Sequence, residues 1–312
     1  MAVTDTSRRA LSARTFIMPG IKDKASGFLS LIRPLFFILT PVNAASAAVL
    51  SLGGFPVLSK CILGFFCVAF ASCAVNVFND YIDRERDKNI WPNRAIPSGR
   101  VRPNEALLVV IFSLAISLAI TWWAFNPLAF LILLVALILG GLYSVYLRDK
   151  VGYIALPPIV GLIYLGGWAA FSPDTLFTSF LPWYLFLLGI VWQAGHIMIY
   201  YPLHLTPDKG MHDIKTPPAL YFKPSAKVTV KIGIIFTCFT LILSVLLPLL
   251  STLSPFYIIP VIAAGVYALI YGFRFHKDIL NKEKGMVAFR AMSIFRLVIS
   301  AAILLAVAIM QV

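Results

Sequence analysis

The chain is 312 residues long, 60% hydrophobic and only 12% charged, with a mean hydropathy of +0.89. Because soluble domains carry about a quarter charged residues, these values exclude an ordinary soluble protein and indicate a polytopic membrane protein. The net charge of +13 does not indicate a nucleic-acid partner, since basic residues collect in cytoplasmic loops and attract anionic lipid or diphosphate groups. The four cysteines lie in apolar runs without metal-ligand spacing and are predicted to be small core residues.

Nine apolar stretches are long enough to span a membrane. They follow residues 1–29, a polar and basic segment without the apolar core of a signal peptide. The sequence therefore predicts an all-α protein with a single transmembrane domain over 30–312. The stretches are 30–54, 57–79, 105–124, 127–147, 152–171, 177–201, 228–250, 254–273 and 288–311.

Lysine and arginine are distributed unequally along this pattern. All of them except Lys60 precede or open the first span or follow the second, fourth, sixth and eighth. Because such residues stay on the cytoplasmic side, the pattern predicts a cytoplasmic N-terminus and two long cytoplasmic loops, after spans two and six. We expect an integral multi-pass protein, in the plasma membrane of a prokaryote or in the endoplasmic reticulum or another internal membrane of a eukaryote.

An acidic stretch ends the second span. If the helix continues through it at about 100° per residue, Asn76, Asp80, Asp83 and Asp87 share one face and Glu85 points away. Neighbouring carboxylates repel each other, and more strongly near a membrane, so we expect a cation among them. Oxygen ligands without Cys or His favour Mg²⁺ or Ca²⁺ over zinc. The alternative is a solvated helix end whose acids pair with the nearby basic residues Arg84, Arg86 and Lys88.

Basic residues near this face are candidate phosphate ligands. Arg94 follows the acids in the same loop, and Lys150 follows the fourth span. Arginine suits bidentate contacts with phosphate, whereas lysine acts as a point charge. The alternative interpretation of both residues is that they only contribute to the excess of basic residues in cytoplasmic loops.

The loop after span six is the second polar region. It contains His204, Asp208, Asp213 and Lys215, and Asp208 with Asp213 could close a second cation site. His196 lies inside the sixth span, where an ionisable residue is a functional candidate by default. The two acidic regions lie four spans apart, which suggests two similar four-helix units and one extra helix.

The acidic stretch and the segment Asn93-Arg94-x-x-Pro97-Ser-Gly99 resemble the UbiA superfamily of intramembrane prenyltransferases. The resemblance extends over nearly the whole chain, through nine spans, a Tyr-Ser pair at 143–144 and a second acidic loop. It implies a helical bundle around a central cavity that opens sideways to lipid. In that family two Asp-rich loops hold Mg²⁺ on a prenyl diphosphate.

The second loop departs from the family pattern, which is Asp-x-x-x-Asp followed by a glycine and a Lys-Thr pair. Lys215 with Thr216 fits, and Asp208 fits the later Asp with one extra residue. His204 stands where the earlier Asp would be, and Asp213 stands near the usual glycine. One metal ligand is therefore replaced or moved, and UbiA-type terpene cyclases are known to carry variant motifs.

These residues predict an enzyme that ionises an allylic isoprenyl diphosphate. Mg²⁺ would neutralise the leaving diphosphate, and a dry apolar cavity would protect the carbocation from water. The resemblance favours transfer to a lipophilic acceptor, and cyclisation of farnesyl or geranylgeranyl diphosphate is the alternative. A transporter is disfavoured, because the acids lie at helix ends rather than at mid-membrane.

Three sets of site residues follow from the motifs and the resemblance. The predicted catalytic residues are Asp80, Asp83, Asp87, Asp208 and His204. The predicted diphosphate ligands are Asn76, Arg94, Lys150 and Lys215. The predicted Mg²⁺ ligands are Asp80, Asp83, Asp87, Asp208 and Asp213.

Overall fold

The structure, a computed structural model, describes residues 20–204 and 226–311. This part of the chain consists of helices and short connections, and the predicted all-α class is confirmed. The helices are α1 Ile21–Ile32, α2 Pro34–Leu52, α3 Leu58–Ile90, α4 Pro103–Ala124, α5 Pro127–Leu142, α6 Arg148–Val151, α7 Leu156–Ala169, α8 Leu181–Tyr200, α9 Ala226–Leu250, α10 Ile258–Lys277 and α11 Lys282–Met310.

Eight helical segments of the described chain are long and apolar enough to cross a membrane, with α1 and α2 counted as one segment. A ninth apolar helix, α7, is shorter, with 14 residues. These nine segments correspond to the nine predicted spans, and the prediction of an integral multi-pass membrane protein is confirmed. The side of the membrane on which the N-terminus lies stays a prediction from the basic residues.

Helix ends follow local sequence signals. The Asn126 side chain accepts a hydrogen bond from the Ala129 backbone N–H at 3.0 Å, and Pro127 occupies the first turn of α5. The Asn-Pro break therefore separates α4 from α5, as the sequence predicts. Arg33 separates α1 from α2 with a φ of 53°, and Pro34 then begins α2. Arg33 is the only non-glycine residue with positive φ in the described part of the chain.

Helix α3 carries the acidic stretch beyond the membrane hydrocarbon. It has 33 residues and is therefore about 50 Å long at 1.5 Å per residue. The hydrocarbon is only about 30 Å thick, so the acidic end projects into the polar interface. The predicted continuation of the second span through the acids is confirmed. The loop after it turns at Gly99, whose φ of 77° favours glycine.

The helices pack as two groups with a cavity between them. The smaller core joins α1, α3 and α4 around Leu31 and Val77. The larger core joins α2 with α7 to α11 around Tyr164, Trp192 and Phe295. Helix α2 contacts both α3 and α7, so it closes one side of the space between the two groups.

A π-helix over Tyr143–Leu147 connects α5 to α6. A π-turn holds about one residue more than an α-helical turn, so it rotates the helix that follows it. Ser144 in this turn accepts a hydrogen bond from the Asn79 side chain of α3 at 3.4 Å. Arg148 comes directly after the π-helix and is buried against α3.

Gly167 allows α7 to approach α2 closely. A Cβ built at Gly167 would lie 2.8 Å from the backbone carbonyl carbon of Ala44. We expect Gly167→Ala to lower the free energy of unfolding by about 1–3 kcal/mol, because two backbones must separate. The melting temperature in detergent measures this. In the control Gly141→Ala, the new Cβ meets nothing within 4 Å, and better helix propensity should raise stability by up to about 1 kcal/mol. Equal effects of the two changes would contradict the close approach.

Candidate active site

A cavity of about 970 Å³ runs between the two helix groups. Its wall includes residues of α2, α3, α5, α7, α8 and α11, so both groups contribute to it. At one end it reaches the acidic face of α3, and most of the remaining wall is apolar. An apolar cavity with polar groups at defined positions is the usual form of a small-molecule site.

The acidic face of α3 is buried at this end of the cavity. Asp80, Asp83 and Asp87 are 7%, 6% and 4% exposed, and all three line the cavity. Glu85 points away, with 69% of its side chain exposed, and pairs with Lys88 at 2.6 Å. The predicted division of the acids between two faces is confirmed. Three buried carboxylates require positive partners, since an unpaired buried charge is strongly destabilising.

Arginines supply those partners. Arg94 lies 2.5 Å from Asp87 and 3.3 Å from Asp80, and Arg33 forms a second, very short ion pair with Asp80. Both carboxylate oxygens of Asp83 accept hydrogen bonds from Arg148 at 2.6 Å. Arg86 also bonds Asp83 at 2.6 Å. We call these three aspartates and four arginines the mouth cluster.

The alternative of a simple solvated helix end fits Glu85 but not the three aspartates. Glu85 is exposed and pairs with Arg84 and Lys88. The aspartates are buried, and among them only Asp83 pairs with one of the three basic neighbours considered in the sequence, Arg86. The partners of Asp80 and Asp87 come from the α1–α2 junction and from the loop after α3.

The mouth cluster carries a net positive charge. Its three carboxylates and four guanidiniums together amount to +1 when all are ionised. Burial lowers the pKa of Arg94, but the carboxylates of Asp80 and Asp87 outweigh that effect and raise it above its ordinary value. Arg94 therefore stays protonated at any physiological pH. A compact set of fixed guanidiniums is suited to a phosphate-bearing ligand.

The aspartates alone do not form a ready metal site. Within residues 20–204 and 226–311, no group of three or more His, Cys, Asp or Glu side chains is close enough to hold a metal ion. The carboxylates of the face are engaged by guanidiniums instead. Their all-oxygen character nevertheless fits Mg²⁺, which in proteins takes one or two carboxylates together with waters and substrate phosphates. Binding of Mg²⁺ therefore requires the ion pairs to open.

The remaining predicted residues divide into three groups. Asn76 belongs to the site, because its side-chain oxygen accepts a hydrogen bond from Arg33 at 3.4 Å. Lys150 is not brought there: it is exposed, and its Nζ lies 5.8 Å from the centre of the Tyr146 ring. Lys150 follows the inward-pointing Arg148 by two residues, so it points about 200° away from Arg148 around the helix axis. The other predicted residues, Asp208, Asp213 and Lys215, lie outside the described residues, as does the side chain of His204.

A second polar group lies deeper in the cavity. The sequence interpretation counted Arg296 among the basic residues of the cytoplasmic loops. In the structure Arg296 lies inside α11 and is only 4% exposed. Its guanidinium lies 4.5 Å from the centre of the Trp192 ring and 6.0 Å from that of Tyr164. Desolvated cation–π contacts contribute about 2 kcal/mol, whereas an arginine at a span centre costs about 2.5–3.5 kcal/mol or more. The rings therefore do not offset the whole cost.

His196 is stacked within an aromatic wall. Its ring lies 4.5 Å from Trp192 and 4.3 Å from Phe289, and Phe289 in turn lies 4.6 Å from Tyr200. The imidazole Nε2 is 3.1 Å from the Ser293 hydroxyl. His196, Phe289 and Tyr200 line the cavity, so the histidine inside the sixth predicted span faces it. This wall leads along α8 from Arg296 towards the mouth cluster.

Known proteins share the sequence pattern of this chain. A sequence model of the UbiA prenyltransferase family matches residues 38–309. A protoheme IX farnesyltransferase of Paenarthrobacter aurescens is 27% identical over 292 residues, which is 90% of this chain and 88% of that protein. A digeranylgeranylglyceryl phosphate synthase of Methanosphaera stadtmanae is 27% identical over 259 residues, 81% of this chain and 90% of that protein.

Solved structures share the fold. A UbiA homologue from Archaeoglobus fulgidus, bound to DMAPP and Mg²⁺, superposes with a TM-score of 0.58 at 19% identity, covering 89% of this chain and 99% of that one. At this level of identity the likeness shows the fold alone. The family match, in contrast, extends from α2 to the end of α11 and includes all three aspartates of the mouth cluster. The chain therefore belongs to the UbiA prenyltransferase family.

Proposed function

We propose that this protein uses Mg²⁺ to transfer the prenyl group of an allylic isoprenyl diphosphate to a lipophilic acceptor. The observation that carries the proposal is the mouth cluster at the end of an apolar cavity. It combines buried carboxylates with a net positive charge, and it adjoins a space shaped for a hydrocarbon chain. The A. fulgidus homologue binds a short allylic diphosphate with Mg²⁺, which supports the same ligand pair here.

The arginines of the mouth cluster would bind the diphosphate. Arg33, Arg94 and Arg148 each bring a guanidinium to the cavity wall, and diphosphate oxygens would replace the carboxylates as their partners. The freed Asp80, Asp83 and Asp87 would then hold Mg²⁺. Asp208 and Asp213 of the second loop are proposed as further ligands. The metal would supply neutralisation of the charge that develops on the leaving diphosphate.

The rest of the cavity would hold the prenyl chain and protect its cation. The wall is mainly apolar, so little water is available to capture the carbocation. His196, Phe289 and Tyr200 present ring groups to this space, and aromatic faces stabilise cations. At about 970 Å³ the cavity is at the upper end of the usual range for ligand sites, so a second substrate has room beside the first.

The acceptor is a separate question. One relative is named for transfer to protoheme IX and another for synthesis of a glyceryl phosphate lipid, and both are 27% identical to this chain. Overall identity therefore does not select between acceptor classes. The side chains of the deeper cavity wall must make that selection.

Cyclisation of the prenyl diphosphate is the second candidate. It is favoured by His204, which stands where the family pattern has an aspartate in the second loop. With that ligand replaced, the metal-binding part of the loop differs from that expected of a transferase. In this reaction a double bond of the substrate itself would attack the cation, and no acceptor would be required.

An incubation of the purified protein with geranylgeranyl or farnesyl diphosphate and Mg²⁺ tests the proposal. Diphosphate release that depends on Mg²⁺ and on an added lipophilic acceptor supports transfer. A cyclic hydrocarbon formed without acceptor, detected by gas chromatography with mass detection, supports cyclisation instead. No release under any of these conditions, from protein that is folded by its melting curve, would contradict both candidates.

A further inference from the structure

Arg296 is a cation embedded in the membrane part of the cavity wall. It lies 14 residues after Lys282, the first residue of α11, and thus about 21 Å along the helix. The residue is almost completely buried, and its side chain lines the cavity. Ionisable residues at this depth are rare and commonly mark a ligand or ion pathway.

The described part of the chain provides no anionic partner for this guanidinium. No carboxylate of residues 20–204 or 226–311 forms an ion pair with it, and its Nε and Nη2 atoms have no hydrogen-bond acceptor there. Tyr164 forms a side-chain hydrogen bond with the guanidinium, and the rings of Trp192 and Tyr164 lie beside it, but these contacts leave Nε and Nη2 without an acceptor. Two strong donors of this cavity-lining side chain are therefore left without an acceptor in the described part of the chain.

Nearby polar side chains are already engaged with each other. The Asn43 side-chain oxygen accepts hydrogen bonds from Ser300 at 2.7 Å and from Tyr164 at 3.3 Å. Ser293 donates to the Phe289 carbonyl at 3.1 Å. The Asn43 oxygen thus accepts two hydrogen bonds already, and the Ser293 oxygen lies 3.1 Å from His196 Nε2, so both groups are engaged within the protein. The requirement of Arg296 for an acceptor is consequently left to a molecule that enters the cavity.

Gln193 is a second polar group in the wall of the same cavity. It is buried, lines the cavity, and makes no side-chain hydrogen bond within the part of the chain that the structure describes. It lies on α8 one residue after Trp192, the ring nearest to the Arg296 guanidinium. An amide and a guanidinium on facing helices can both donate to one oxyanion.

We infer that Arg296, assisted by Gln193, binds an acidic group, a carboxylate or phosphate, on the lipophilic acceptor. The inference deepens the proposed function and rests on it. The prenyl diphosphate has the four guanidiniums of the mouth cluster, so the separate Arg296 is available for the second substrate. The planar guanidinium matches both oxyanions in a bidentate manner. The enzyme would thus select acceptors that carry an anion on an apolar body.

Photolabelling of the full chain tests this site. The probe is 4-benzoylbenzoate, a photoreactive benzophenone with a carboxylate, and its methyl ester is the neutral match. The protein is held in phosphatidylcholine nanodiscs, and labelled peptides are mapped by mass spectrometry. We expect the acid to label α8 or α11 near Arg296 at least about tenfold more than the ester. 4-Benzoylphenyl phosphate, compared in the same way, identifies the preferred oxyanion.

Variants separate charge from structure. Arg296→Gln should reduce labelling by the acid about tenfold or more, and Arg296→Lys should reduce it less because the charge remains. Arg290→Gln, an exposed position of the same helix, is the matched control and should change nothing. Equal labelling by acid and ester in the unaltered protein would overturn the inference, and this test does not depend on the folding of a variant. Labelling that survives Arg296→Gln would also overturn it.

Competition identifies the occupant. If geranylgeranyl diphosphate displaces the probe and Arg94→Gln abolishes labelling as well, the site belongs to the prenyl diphosphate and the assignment to the acceptor fails. If the probe labels as expected but the protein releases no diphosphate from geranylgeranyl or farnesyl diphosphate with Mg²⁺, either with or without an added lipophilic acceptor, the proposed function fails and the anion site stands. The two failures are therefore distinguishable.

Discussion

Asp80→Asn is expected to reduce the rate of diphosphate release by at least about a thousandfold. Single preorganised electrostatic groups in active sites are worth about 10²–10³ in kcat, and Asp80 combines two roles as a proposed metal ligand and as partner of Arg33 and Arg94. The substitution keeps the size of the side chain but removes its charge. Turnover with geranylgeranyl diphosphate, saturating Mg²⁺ and the lipophilic acceptor that supports release by the unaltered protein measures the effect.

The matched control for this substitution is Glu85→Gln. Glu85 lies on the same helix five residues later, but its side chain is mostly exposed and pairs only with Lys88 and Arg84. We expect its turnover to stay within about twofold of the unaltered protein, since surface pairs contribute little. Glu85→Gln should retain its melting temperature within a few degrees, and Asp80→Asn should melt lower but stay folded at the assay temperature, because Arg94 keeps Asp87 as a partner. Normal turnover of Asp80→Asn would remove Asp80 from the proposed machinery.

Asp83→Leu is expected to destabilise the protein by about 3–5 kcal/mol. It removes both hydrogen bonds that the buried Arg148 donates to a carboxylate at 2.6 Å. Breaking a buried ion pair from one side leaves an uncompensated charge and has this large effect. The melting temperature and the resistance to denaturant in detergent measure the loss.

The double variant Asp83→Leu, Arg148→Met is the control that separates stability from function. Replacing both partners of a buried pair by apolar residues is often neutral or stabilising, so we expect most of the lost stability to return. Activity should not return, because a proposed metal ligand and a proposed diphosphate ligand are both absent. A double variant as unstable as Asp83→Leu alone would show that the pair is not the cause. A double variant that regains turnover would exclude both residues from the reaction.

Local signals allowed much of the fold to be predicted. The break at Asn126-Pro127 depends on a cap and a proline within three residues of each other, and the shared face of the three aspartates depends only on helical spacing. Both features can be predicted without information about distant parts of the chain. The ion-pair partners of those aspartates cannot, because they are supplied by distant segments. Arg33 and Arg148 are 47 and 65 residues away in sequence from Asp80 and Asp83.

Two predictions about basic residues failed for identifiable reasons. Lys150 was chosen from its place after the fourth span and from the family resemblance, whereas in the structure Arg148, directly after the π-helix over Tyr143–Leu147, points inward to Asp83. Arg296 was counted with the loop charges although it lies inside the last span. A lone arginine within an apolar span is itself a signal, and this one could have been recognised from the sequence. The partners around it, Trp192 and Tyr164, are supplied only by the packing of α7 and α8.

The π-helix also affects how the chain tolerates insertions and deletions. Deleting one residue from it would restore a regular α-helix, and the side chains that follow would keep their direction, because the π-turn holds about one residue more than the α-turn that replaces it. Arg148 would therefore stay against Asp83. Deleting one residue from the regular helix α5 would instead turn Arg148 by about 100° and separate it from Asp83, although no residue of the mouth cluster had been changed. Alignments should thus place a one-residue gap in the π-helix, because a gap within α5 would assign the wrong basic side chain to the site.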